Sequence, residues 1–335
     1  MITISVVICV YTEDRWEDIL AAVSSVRAQS HTAHETLVVV DHNEGLRERL
    51  SKEYKEAPDV RVLANAGPRG LSAGRNTGIA ASSGEVIAFL DDDAVAERDW
   101  LRRFAEGYDD PRVFAVGGAT RPVWASRRRP AWFPEEFDWV VGCMYRGHPT
   151  GRARVRNVLG GNASFRRSAF ELAGGFATGI GRDGDKRPLG CEETELCIRL
   201  TRARPDAVLL IDDRAVIHHR VPAARERFRY FRSRAYAEGL SKALVAQSVG
   251  AVKGLESERR YTTRVLPAGV GRGLRDALLG RPGGAGRAGA IVTGVVAAAG
   301  GYVIGSVRAR RSGATFAVVD VSPAPEERSG EGATR

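Results

Sequence analysis

The sequence predicts an α/β fold, a mostly parallel central sheet with helices on both faces. Two observations carry this expectation. Short apolar runs alternate with segments of helical periodicity throughout the N-terminal half. Three of those runs end on polar residues, Thr12-Glu13-Asp14, Asp41-His42-Asn43 and Asp91-Asp92-Asp93. In parallel sheets the carboxyl ends of the strands open onto the ligand crevice, and three such ends are more than solvent exposure alone accounts for.

Taken in order, "ITISVVICVY" reads as a buried strand. Residues 14–29 read as a helix, with Trp16, Ile19, Leu20, Val23 and Val26 at helical spacing. "ETLVVVDHN" is a second strand with a polar end, and a helical stretch through residue 56 leads to a short third strand, "VRVLA". "GLSAGRNTGIAASSG" reads as a small-residue helix closed by Gly84, and "EVIAFL" as the fourth strand. Residues 121–157 hold three tryptophans, Arg127-Arg128-Arg129 and several prolines without clear periodicity, the texture of a long loop or flap with a binding role.

"VLGGNASFRRSAFELAGGF" returns to strand and helix, and "CEETELCIRLTRA" is a helix with acids in its first turn. "AVLLIDDRAVIHHRVP" holds one or two strands, and Pro222 opens a basic helix. The expected division is 1–120 and 121–245 as two halves of one domain, 246–311 as a helical extension, and 312–335 as a disordered tail rich in small and polar residues. No internal repeat is visible.

The 335 residues are 43% hydrophobic and 27% charged, which is the balance of a globular protein with a sizeable core. The net charge of +9 favours anionic partners: nucleotides, phosphorylated lipids or acidic membranes. No zinc-finger, RNP or basic-zipper signature accompanies it, so nucleic acid is not an expected partner. Cys9, Cys143, Cys191 and Cys197 form no C-x-x-C pair, and Cys9 lies in a buried strand; reduced thiols and a cytoplasmic setting are expected. "ISVVICVY" lacks a basic leader and is followed by Glu13 and Asp14, unlike a secretory signal. Residues 288–305 are apolar and dominated by Gly and Ala, between Arg281, Arg287 and Arg308, Arg310, Arg311. The readings are a packed helix or hairpin, peripheral contact with the anionic inner face of the cell membrane, or a short span.

Adjacent carboxylates at a strand end need a cation, a protonated member or a network of donors. Oxygen ligands suit hard cations, and Mg²⁺ in particular is often held by one or two carboxylates together with substrate phosphates. The competing structural role is capping of the helix that follows, which needs only one aspartate.

"ISVVICVYTEDR", "LVVVDHN", "GLSAGRNTGIAASSGEVIAFLDDDAVAERDWL", "GGNASFRRSAF" and "GCEETELCIRL" occur in that order. Together they resemble the inverting GT-A glycosyltransferases of family 2, over roughly residues 2–245. The resemblance implies a Rossmann-like nucleotide-sugar-binding fold, Mn²⁺ or Mg²⁺ as cofactor, a nucleotide-diphosphate sugar as donor (UDP-sugar first) and a hydroxyl acceptor. It implies that Val10, Tyr11 and Glu13 border the donor's base and ribose, that Asp41 binds the base, and that Arg75 and Asn76 line the nucleotide pocket. Asp91 and Asp93 match the outer members of the D-x-D motif, with Asp93 on the metal and Asp91 or Asp92 nearer the ribose or sugar. His42 and Asn43 stand where many relatives have Asp and Gly.

Displacing a nucleoside diphosphate needs charge neutralisation on the leaving side and a base on the other. "CEETEL" resembles the family's paired-acid motif, which implies Glu193 as general base and Glu192 as its neighbour, either able to take the acceptor proton, with Glu in place of the commoner Asp. A first-turn Glu also suits the helix dipole without any catalytic role. Gly160, Gly161 and Asn162 would let backbone approach sugar or acceptor, or simply form a turn. The resemblance also implies that a histidine here, His219 in preference to His218, completes the metal shell or contacts the diphosphate, where a lone histidine would otherwise be structural. Arg225, Arg229, Arg232 and Arg234 would face diphosphate, an anionic acceptor, or only solvent.

A nucleotidyltransferase is the alternative enzyme, but it should carry a glycine-rich basic loop after the first strand, where "YTEDRWED" is acidic. A non-catalytic nucleotide- or sugar-binding module would not need acids at both 93 and 193. Processive synthases carry several spans and a Q-x-x-R-W motif; this chain has "RFRYFRSR" there. The expected reaction is transfer of one sugar to a polysaccharide precursor, a lipid-linked saccharide or a small metabolite.

Overall fold

A computed structural model describes residues 2–178, 190–249, 259–312, 318, 319 and 321 of the chain. Its strands are β1 (Ile4–Val10), β2 (Glu35–Val40), β3 (Val60–Ala64), β4 (Val86–Leu90), β5 (Ala94–Ala96), β6 (Val113–Trp124), β7 (Arg152–Arg154), β8 (Asn162–Arg166) and β9 (Val208–Val221). They form one sheet in the order β3-β2-β1-β4-β8-β6-β9-β5, with β7 also paired to β9. The helices are α1 (Trp16–Arg27), α2 (Glu44–Glu53), α3 (Leu71–Ala81), α4 (Trp100–Gly107), α5 (Arg167–Ala173), α6 (Glu192–Ala203), α7 (Phe228–Val249), α8 (Leu266–Leu278) and α9 (Gly284–Ser312).

β1 to β4 are parallel, and their apolar runs do not alternate because both faces are covered. Ile4, Val6, Ile8 and Val10 of β1 enter one core with Ile19 and Val23 of α1 and Trp100 and Phe104 of α4. Val7, one step out of phase, enters a second core with Ile79 of α3 and Leu196 and Leu200 of α6. β2 lies on one side of β1 and β4 on the other, so the sheet's topological switch falls between β1 and β4. That is where the crevice of such a sheet opens.

Two antiparallel pairings build the site on this frame. β4 against β8 sets Leu90 opposite Asn162, and the Asp91 N–H donates to Gly161 O at 3.4 Å. β5 against β9 sets Ala94 opposite His219, and the Arg220 N–H donates to Asp93 O at 2.8 Å. Residues far apart in sequence thereby meet at the end of β4.

The segment 121–157 departs from the expected flap. It carries the end of β6, a 3-10 turn over Glu135–Val141 and β7. Trp124, Phe133 and Phe137 are buried in a third core with Phe231 of α7, Leu266 of α8 and Ile291 of α9. Aromatic packing with the C-terminal helices orders it, and such packing leaves no period in the sequence. β6 itself was not foreseen, and the predicted one or two strands near residue 211 are a single irregular strand, β9.

α9 is long and apolar enough over Gly284–Arg308 to cross a bilayer, and it packs along α7. A side chain on Gly239 would collide with Ala298 O, and one on Gly301 with Tyr236 O; glycine lets the two helices approach this closely. The expected disordered tail lies outside the described residues except for Ser312, Val318, Val319 and Val321. Of these, Val319 O accepts the Gly175 N–H at 2.9 Å and Val321 is buried beside Phe176.

Candidate active site

Asp91, Asp92 and Asp93 leave the end of β4 in different directions. Asp91, Asp93 and His219 each offer a ligand atom, and these atoms lie within 4.8 Å of one another. His219 Nε2 stands 3.0 Å from Asp93 Oδ1, with both side chains buried. Burial works to raise the Asp93 carboxyl, but His219, then Arg15 and Arg225, outweigh it and hold the carboxyl well below the usual range. Asp92 turns the other way, to Arg15 Nη1 at 2.5 Å, and the same nitrogen lies 3.1 Å from Asp93 Oδ2. Burial, reinforced by Asp93 and Asp91, pushes Asp92 up to about 7 despite Arg15.

Two carboxylates and an imidazole in this arrangement are a donor set for a divalent cation of the Mn²⁺ or Mg²⁺ kind. His219 Nδ1 is buried without a hydrogen-bond partner, so Asp93 alone fixes the ring's polar contacts.

The second acid cluster begins α6. Cys191, the residue before the helix, has φ 74°, a left-handed conformation that a non-glycine residue adopts only under strain. Its thiol donates to Glu238 Oε1 of α7 at 3.5 Å. This turn sends Glu192 and Glu193 toward the crevice. Glu192 Oε1 accepts from Arg75 Nη1 at 3.0 Å, while Glu192 Oε2 is buried and unpartnered. Glu193 keeps part of its surface open; desolvation, then the charge of Glu192, pushes it up to about 8.

Arg75 joins the clusters. It is buried, with Nη2 at 3.8 Å from Asp91 Oδ1 and Nη1 on Glu192, and its guanidinium lies over the rings of Phe176 and Phe89 at 5.2 and 5.7 Å. Gly160 and Gly161 pass between the same groups. A side chain on Gly161 would collide with the Asp91 carboxylate, and one on Gly160 would stand 3.4 Å from Glu193 Oε2.

The remaining predicted residues divide by orientation. The Val10 side chain is in the core, so only its backbone faces the crevice. Tyr11 is exposed, with Arg15 5.3 Å over its ring. Glu13 pairs with Arg49 at 3.3 Å on the surface. Asp41 accepts from Asn65 Nδ2 at 2.7 Å and the Gly70 N–H at 3.0 Å, bracing the turn before α3. Asn76 spends its amide on Phe176, donating to its O at 2.9 Å and accepting from its N–H at 2.8 Å. Asn162 is fully buried, accepting from Trp100 Nε1 at 2.8 Å and donating to Ala215 O at 3.2 Å. Both asparagines hold backbone in place rather than face the crevice.

The basic residues after β9 also separate. Arg225 acts on Asp93 and has a buried, unpartnered Nη1. Arg234 pairs with Glu238 at 3.1 Å beneath the Cys191 turn. Arg229 and Arg232 are exposed. His218 points away from the metal-capable group, to Glu97 at 3.0 Å. A cleft of about 700 Å³ lies by Glu97, Arg121 and Arg146 and includes neither acid cluster; Arg75 bridges Asp91 and Glu192, and Arg15 sits on Asp92 and Asp93. Arg15 and the Cys191 turn were not singled out from sequence. An arginine five residues past the end of the first strand was the only available signal.

Comparison with known proteins bears on the family and the fold. The model of glycosyl transferase family 2 matches residues 5–173. The chain is 37% identical over 240 residues to a glucosyl-dolichyl phosphate glucuronosyltransferase of Haloferax volcanii, across 71% of this chain and 76% of that protein. The mannosyltransferase PcManGT from Pyrobaculum calidifontis, solved in complex with GDP-Man and Mn²⁺, superposes with a TM-score of 0.55 at 17% identity, over 92% of this chain and 88% of that one. GalNAc-T7, solved with UDP, GalNAc and Mn²⁺, superposes with a TM-score of 0.51 at 17% identity, over 78% and 55%. These two structures speak to the fold alone, a GT-A-like α/β fold. The chain belongs to glycosyl transferase family 2 and is a glycosyltransferase that takes its sugar from a nucleotide sugar.

Proposed function

We propose that the protein is a metal-dependent, inverting, hexosyl-type transferase that moves one sugar to a hydroxyl of a lipid-linked acceptor at the cytoplasmic face of the membrane. The observation that carries this reading is the pair of acid clusters flanking Gly160-Gly161, one able to hold a cation and one with a carboxyl of raised pKa. In-line displacement at an anomeric carbon requires those two functions on opposite sides of it.

Asp91, Asp93 and His219 would hold Mn²⁺ or Mg²⁺, which when bound neutralises charge developing on the leaving diphosphate. Arg225, with an unpartnered nitrogen beside this group, adds a second positive charge for the diphosphate. The backbone of Val10 together with Tyr11, Glu13 and Asp41 borders the base and ribose, and residues 1–120 form the donor half. Residues 121–245 supply the acceptor side. There Glu193 takes the acceptor proton, and Arg75 holds Glu192 as its fixed anionic neighbour. Gly161 lets the sugar approach Asp91.

UDP is the first choice of base, and the lipid-linked acceptor is favoured by the acceptor in the name of the Haloferax volcanii relative. The test is incubation of purified protein with UDP- and GDP-sugars, lipid-linked monosaccharide and Mn²⁺ or Mg²⁺. A metal-dependent product of inverted anomeric configuration is expected. No product from any donor, with the protein folded, would contradict the reading.

A further inference from the structure

The net charge of the chain is not spread over it. Residues 259–312 contain ten arginines and a single acid, Asp276, so this C-terminal segment carries +9, the net charge of all 335 residues. The rest of the chain is balanced. Arg259, Arg260, Arg264, Arg275, Arg281 and Arg308 are exposed. Asp276 is already bridged to Arg281 and Arg287, each at 2.9 Å.

The same segment exposes apolar surface. Val292, Val296, Val303 and Val307 of α9 are 53, 66, 61 and 47% exposed, and their spacing puts them on one face of the helix. Fifteen residues of helix make this stripe about 22 Å long. Leu278 and Leu279, at the tip of the α8–α9 hairpin, are 90 and 60% exposed. No charged residue interrupts the stripe between Arg287 and Arg308.

We infer that this face of α8 and α9 docks flat on an anionic lipid surface, with Leu278 and Leu279 entering the acyl boundary and the arginines meeting the headgroups. An apolar stripe framed by basic residues is the chemistry of an interfacial helix. A second copy is disfavoured, since docking like on like would bring two strongly basic segments together. Nucleic acid would use the charge but not the stripe. A transmembrane path is disfavoured by the opposite side of α9. It seals Leu240 and Ala243 of α7, 5 and 3% exposed, with Gly305 set against both, and crossing the bilayer would uncover them.

Docking also places the site. α7 lies between α9 and the acid pair, touching α9 through Gly239 and the Cys191 turn through Glu238. The proposed base thus follows a turn that packs on α7, the helix that α9 covers. This consequence for acceptor delivery rests on the proposed lipid-linked acceptor; the docking surface itself does not.

The test is flotation of the full chain with vesicles of phosphatidylcholine alone or mixed with phosphatidylglycerol, without donor, metal or acceptor. Failure here therefore leaves the transferase reading standing. Binding to the anionic vesicles only is expected, released by high salt. Val296→Glu with Val303→Glu should reduce it at least tenfold, and Arg275→Gln or Arg308→Gln about fivefold each, with circular dichroism and nucleotide binding unchanged. Three results would overturn the inference. One is equal binding by the Val296→Glu/Val303→Glu protein or to neutral vesicles. Another is attachment resisting alkaline carbonate, the mark of a span. The last is a concentration-dependent dimer abolished by Val296→Glu.

Discussion

Arg75 and Glu192 form an ion pair 117 residues apart in sequence, 3.0 Å long and closed to solvent. It ties α3 to the first turn of α6. Burial works against the Arg75 charge, but Glu192 and then Asp91 more than offset it.

Removing one partner of such a pair leaves the other charge buried and uncompensated. Arg75→Met is expected to lower unfolding free energy by about 3–5 kcal/mol. Arg75→Met with Glu192→Met should recover part of that loss. Denaturant titration of the wild type, both single variants and the double variant checks both statements, and losses that simply add in the double variant would show that the pair is not coupled.

At the end of β4, Asp93→Asn and His219→Ala each remove a donor from the cation-capable group. Transferase activity should fall by at least about 100-fold, with thermal unfolding still cooperative. Asp92→Asn, facing Arg15 rather than the group, should act mainly on stability. Metal titration followed by nucleotide binding separates these effects.

In its proposed role as base, Glu193 must be ionised to accept a proton. Its carboxyl is raised to about 8 from an ordinary 4.5, so kcat/KM should climb through neutral pH and level off above about 8. The sign for stability is opposite. The folded chain holds this proton more tightly than the unfolded one, so the contribution is full below about 4.5 and is lost as pH rises through about 8. Glu193→Gln should flatten both profiles and cut turnover by roughly 10²–10⁴-fold while leaving nucleotide affinity intact. A pH series of initial rates and melting temperatures reads all three.

Gly161 has no room for a methyl beside Asp91. Gly161→Ala should cost about 1–3 kcal/mol of stability and weaken donor binding by displacing Asp91. Unchanged donor affinity would mean that the backbone relaxes and that the close approach is incidental.

The N-terminal frame was legible because local signals agree with the tertiary fold. Buried parallel strands read as continuous apolar runs, and α1 shows its stripe through Ile19, Val23 and Val26. Asp91, Asp93, His219, Glu192 and Glu193 were legible as acids and a histidine at element ends, and the structure brings them around Gly160-Gly161. Other features had no local signature. β6 runs through Gly117 and Gly118, which hide its strand character, and the aromatics of 121–157 looked like a binding flap because their burial depends on α7 to α9. Asn76 and Asn162 sit in motif positions, yet their amides are spent on Phe176, Trp100 and Ala215, a fact only geometry supplies. The concentration of charge in 259–312 was present in the sequence but was hidden by the whole-chain sum.

The most direct test of the account is calorimetric titration of UDP and GDP into the wild-type and Asp93→Asn proteins, each with Mn²⁺ and with chelator. The account predicts tight binding of one nucleotide to the wild type with Mn²⁺, lost with chelator and lost in Asp93→Asn. Binding that ignores both the metal and the substitution would contradict it, because the three aspartates would then end β4 without a cation to hold.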